Sequence, residues 1–109
     1  MATSARLLYR GVQGRVRRNV NMAPITEKSA VLITAAEWAF DGGIFGALSG
    51  RPHLGEASIY DTNVGPHDPE GGPGSDGDVE FHLHVDWDSP LDVIVTITVL
   101  DDVASFTEA

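Results

Sequence analysis

Val79-Glu80-Phe81-His82-Leu83-His84-Val85-Asp86-Trp87 decides the fold class. Apolar and polar residues alternate through this stretch, the period of a strand with one face in a core and the other in water. Asp88-Ser89-Pro90-Leu91 follows with turn chemistry, Pro90 suiting the first central position of a turn. Residues Val93 to Val99 are then β-branched without interruption. Such side chains are stiff at χ1 and favour the extended chain. Val93, Val95, Ile97 and Val99 share one face. The pattern predicts an antiparallel hairpin over residues 79–100. Asp92, Asp101 and Asp102 flank its second strand as charged guards against edge-to-edge association.

Upstream the periodicity is weaker. Ala30-Val31-Leu32-Ile33-Thr34-Ala35-Ala36 has the β-branched content of a buried strand. Its alanines, Glu37 and a cap at Thr26 or Ser29 suit a short helix instead. Asp41-Gly42-Gly43 is the turn that ends it. Glu56 to Val64 contains a further strand around Ala57-Ser58-Ile59-Tyr60. Gly65 to Gly77 hold five glycines and three prolines and read as loop. The expected fold is mainly β, an antiparallel sandwich or small barrel. An α+β variant follows if residues 29–40 form one short helix.

Composition sets outer limits. The chain has 109 residues, about one domain. Leu, Ile, Val and Phe make up 29 of them, above the roughly 20% below which chains tend to stay disordered. The absence of cysteine excludes disulfides, thiolate zinc sites, iron–sulfur clusters and thiol catalysis. No apolar run approaches the roughly 18 residues of a membrane span. The formal charge of −9 makes naked nucleic acid a poor direct partner.

That charge is divided along the chain. Up to Ile25 there are arginines at 6, 10, 15, 17 and 18 and no acid, while all 16 acids follow, opposed by Lys28 and Arg51. The head therefore carries +5 and the remainder −14. The split suggests two regions: residues 1–22, a basic arm poorly ordered by itself, and residues 23–109, a single acidic β-rich domain. Gly11 and Gly14 weaken any helix in the head. Its composition also fits a mitochondrial presequence, an arm that binds the acidic body or an anionic surface, or a start site placed upstream of Met22. The expected compartment is the cytoplasm, or the mitochondrial matrix if residues 1–21 are a presequence.

Glu80, His82, His84 and Asp86 are the most suggestive chemical group. Alternate residues of a strand stand on one face about 6.5–7 Å apart. Two imidazoles so placed can converge on zinc, manganese or nickel, with a carboxylate as third ligand. Closure of such a site needs His53 or His67. The same four residues also suit the solvated face of an amphipathic strand. In the loop 68–78, Asp68, Glu70, Asp76 and Asp78 are hard oxygen donors compatible with calcium, although the spacing is not that of an EF-hand. Gly72-Pro73-Gly74-Ser75-Asp76-Gly77 matches G-x-G-x-x-G but fails its context, with a loop before it and a strand after. Ser49 and Ser75 do not fulfil G-x-S-x-G.

Trp87 ends the apolar face of its strand and is expected in the core. Trp38 suits either the core or a contact surface. The functional reading is a small acidic, non-enzymatic interaction domain that docks on a basic protein surface, with Trp38, Asp76 and Asp78 as candidate contact residues. A sharper version is a nucleic-acid mimic that fills the basic groove of a nucleic-acid-binding protein. The alternatives are a small metal-binding barrel built on His82 and His84, and a structural subunit whose apolar strand completes itself on a neighbouring copy, as a homo-oligomer.

Overall fold

The computed structural model describes residues 2–40, 49–71 and 75–109. The expected turn at Asp41–Gly43 and the glycines Gly72 and Gly74 lie outside these residues. Among the described residues seven strands occur in order: β1 (Thr3–Val12), β2 (Gly14–Asn21), β3 (Ser29–Phe40), β4 (Gly50–His53), β5 (Ser58–His67), β6 (Asp78–Asp86) and β7 (Leu91–Asp102). They form a four-stranded sheet in the order β1-β7-β3-β4 and a three-stranded sheet in the order β2-β6-β5, every pair antiparallel. The two sheets pack as a sandwich, so the mainly β expectation holds. The segment 29–40 is strand, as its Val31 and Ile33 favour, and no helix occurs among the described residues.

The apolar faces read from the sequence form the centre. Val79, Phe81, Leu83 and Val85 of β6, with Val93, Val95, Ile97 and Val99 of β7, are all 1% exposed or less. Full burial of such a side chain stabilises the fold by about 1.5–3 kcal/mol. The strands that carry them are not a hairpin. β6 is the middle strand of one sheet and β7 an inner strand of the other, so residues 87–90 carry the chain between layers. A hairpin would turn both apolar faces to one side of one sheet. The crossing sets them in opposite layers, where both inner faces pack into one core.

The arginine-rich head, expected to be poorly ordered alone, forms β1 and β2. β1 pairs β7 and β2 pairs β6, so each half of the head belongs to a different sheet. Gln13 separates them at a corner where Gly11 and Gly14 have φ of +65° and +71°. The glycines that argue against a helix are the residues that let the chain turn between layers.

Two other expectations change. Gly65–His67 are not loop but the end of β5, with Pro66 opposite Val79. β5 is an edge strand, the place where a sheet tolerates proline. Just before them the register shifts between Thr62 and Gly65, and Asn63 adopts φ of +57°, a bulge with a residue type that accepts the left-handed region. Trp87 is not in the core. β6 ends at Asp86 and Trp87 lies on the corner, 42% exposed, because the chain leaves the layer one residue earlier than the alternation suggests.

The end of the sandwich opposite the corners is closed by residues 22–28. Ile25 is 1% exposed there and Met22 N–H donates to the Gly77 carbonyl at 3.0 Å. Gly77 packs so closely on this loop that a Cβ would stand 1.9 Å from the Ile25 carbonyl oxygen. Among the described residues no helix is long and apolar enough to cross a membrane.

Candidate functional site

The outward face of the three-stranded sheet collects most of the polar residues singled out in the sequence. Cross-strand partners share a face, so the pairing register fixes its rows. Arg15, His84 and Tyr60 form one row and Arg17, His82 and Thr62 the next. Asn19 and Gly65 flank Glu80, and Asn21 and His67 flank Asp78, toward the far end. His82 and His84 are half-buried in this face.

The histidines are brought side by side on this face. Their ring centroids are 6.3 Å apart with planes 81° apart, edge to face. His84 Nε2 and the Thr62 hydroxyl share a 2.8 Å hydrogen bond, and the His84 ring stacks on Tyr60 with centroids 4.5 Å apart and planes 6° apart. Glu80 is engaged elsewhere: it accepts from the Arg17 guanidinium and lies 3.8 Å from His67 Nε2. Desolvation, then the charge of and hydrogen bond with Asp86, raises the Tyr60 hydroxyl above its ordinary pKa. The two further histidines separate. His67 joins this face at Glu80, whereas His53 lies in the other sheet opposite Glu37, with which it lines a small cavity of about 90 Å³. Among the described residues no group of three or more His, Asp or Glu side chains is arranged to hold a metal ion.

The loop acids take two directions. Glu70, Asp76 and Asp78 line a polar cleft of about 380 Å³ with Asn19, Asn21, Gly71 and Ser75. Asp68 turns away and accepts from the Glu27 backbone N–H at 2.8 Å. The cleft belongs to a larger acidic pole. Loop 22–28 brings Glu27, residues 68–71 and 75–77 bring Asp68, Glu70 and Asp76, and the end of β7 brings Asp101 and Asp102 to the same end of the sandwich. Each of these six is exposed. The C-terminal tail continues from this pole, anchored by the Val103 N–H donating to the Lys28 carbonyl at 2.9 Å. It presents Phe106 at 94% exposure, an aromatic that the alternation argument passed over because it belongs to no periodic segment.

Trp38 sits on β3, half-buried, its indole covering Gly50 of the edge strand β4; a Cβ at Gly50 would stand 2.7 Å from Trp38 Nε1. It supports the sheet edge as well as lining its surface. Comparison with protein-family models, curated proteins and solved structures finds no match to this chain.

Proposed function

We propose that this protein is a small interaction domain whose acidic pole docks on a basic protein surface. The observation that supports the reading is the gathering of Glu27, Asp68, Glu70, Asp76, Asp101 and Asp102 at one end of the sandwich, from three separate chain segments. Concentrated like charge raises the potential beyond what a scattered −9 would, steers encounter with a cationic surface and rejects anionic partners. Charge alone supplies rate and selectivity more than affinity. Phe106, and Val103 at 56% exposure, stand beside the pole as apolar contacts that a partner can desolvate.

The test separates location from net charge. Lysine 20-mer peptide is titrated into the protein by calorimetry from 25 to 300 mM NaCl. Dissociation constants should rise steeply with salt, as the Debye length contracts to below about 10 Å. The triple variant Glu70→Gln/Asp76→Asn/Asp102→Asn should bind about tenfold more weakly at low salt. Glu56→Gln/Asp86→Asn/Asp88→Asn, with the same net charge, should change affinity by less than about twofold. Equal weakening in both variants, or salt-independent binding, refutes docking through this pole.

A further inference from the structure

Register joins two parts of the sequence that are far apart in the chain. Arg15 of β2 lies directly opposite His84 of β6, and Arg17 directly opposite His82, on the outward face of the three-stranded sheet. Directly opposed residues have Cβ atoms about 4.5–5.5 Å apart. A divalent cation over His82 and His84 would therefore sit beside the Arg15 guanidinium, while the Arg17 guanidinium is paired with Glu80. An exposed arginine with no ion pair among the described residues disfavours a cation beside it and suits an anion.

The donors are already arranged. Arg15 is exposed and makes no ion pair among the described residues, so its fork of N–H groups is open to solvent. His84 is held in place by the Thr62 hydrogen bond at 2.8 Å and by the Tyr60 ring, and His82 stands edge-on to it at 6.3 Å. The acids of the same face are engaged or displaced. Glu80 is held between Arg17 and His67, Asp86 stands at the other end beside Tyr60, whose pKa its charge helps to raise, and Asp78 lies at the far end opposite Asn21 and His67. Asp61 of β5 faces inward from the neighbouring position and interacts with His84 through its charge.

We infer that Arg15, His82 and His84 form a binding site for a phosphoryl group. A guanidinium matches two phosphate oxygens with parallel hydrogen bonds, and the imidazoles supply further N–H donors beside it. Free phosphate and a nucleotide both carry the required group. Tyr60, 43% exposed at the end of the Arg15 row, offers a ring on which the base of a nucleotide can stack.

The experiment follows the histidine ring signals of the intact chain by NMR while inorganic phosphate, adenosine monophosphate or sodium chloride is added at matched ionic strength, at pH 6.0 and 7.5. Phosphate should shift the His82 and His84 signals saturably at both pH values, and His53 should not respond. Arg15→Gln, on the solvated face and checked by its unchanged melting temperature, should weaken binding about tenfold. Stronger binding of adenosine monophosphate with movement of the Tyr60 ring signals assigns the site to nucleotides, and equal binding assigns it to free phosphate. Shifts produced equally by chloride, or undiminished in Arg15→Gln, overturn the site. So does zinc raising the melting temperature through His82 and His84 while phosphate has no effect.

Discussion

The Gln13 side-chain amide donates a hydrogen bond to the Trp87 carbonyl across 3.4 Å, joining the β1–β2 corner to the β6–β7 corner. The Gly11 N–H makes a second tie, to Asp92 Oδ1 at 3.0 Å. The β1–β2 and β6–β7 corners, where the β1–β7 pair continues into the β2–β6 pair, are thus fastened side by side. Gly11 and Gly14 have open space where a Cβ would be, so an alanine there meets a backbone penalty and no clash. Gly11→Ala and Gly14→Ala should each cost about 1–2 kcal/mol in urea unfolding, the penalty of a left-handed residue with a side chain. A loss below about 0.3 kcal/mol would show that the corner relaxes.

Gly77 presents the opposite case, a steric conflict with the main chain. Because a Cβ would meet the Ile25 and His67 carbonyl oxygens at 1.9 and 2.6 Å, Gly77→Ala must displace loop 22–28. The expected cost is about 2–3 kcal/mol, at the upper end of overpacking effects, with amide exchange accelerated around Met22 and Ile25. Ordinary stability with unchanged exchange would contradict this packing.

Burial separates two large apolar residues that hydrophobicity alone does not. Phe81 is 1% exposed at the centre of β6, whereas Leu32 on β3 is 59% exposed. Phe81→Ala should cost about 3–5 kcal/mol. Leu32→Ala should stay within about 0.5 kcal/mol of the parent. Chemical denaturation of both variants measures the contrast, and comparable losses would place Leu32 in a core.

Asp61 introduces a pH dependence of definite sign. Desolvation raises its carboxyl above the ordinary value, opposed by its backbone hydrogen bond and by the charge of His84. The native state then holds this proton more tightly than the unfolded chain does. Stability falls as pH rises from the unfolded value, near 3.9, through the folded value, and is level above it. Asp61→Asn should therefore be more stable than the parent at pH 7 and lose that advantage at pH 3.5. Urea midpoints of the pair at each pH decide the matter.

Both edges of the three-stranded sheet carry a charge on the inward side, Arg18 on β2 and Asp61 on β5. The Arg18 guanidinium lies 5.0 Å from the Tyr9 ring centroid and its buried Nε has no hydrogen-bond partner among the described residues. Inward charges discourage a second copy from adding a strand. Arg18→Val/Asp61→Val should associate with rising concentration in size-exclusion chromatography with light scattering, while the parent's mass stays constant. A double variant whose mass matches the parent's would remove this role.

The strands and the sides they bury were legible in the letters. Val79 to Val85 and Val93 to Val99 alternate so regularly that burial of one face follows from strand geometry alone. Pro66 misled because proline density signals loop unless the strand is known to be an edge. The histidine pair was visible too, but its surroundings were not.

Alternation states which side of a strand faces oil; it is silent about which strand lies alongside. A four-residue connection serves a hairpin or a crossing between layers equally well, and the crossing wins because it sets two apolar faces against each other. The same long-range pairing brought Arg15 beside His84 and gathered scattered acids at one pole. These neighbours meet through ladder hydrogen bonds and shared burial between distant segments, which no local pattern of residues encodes.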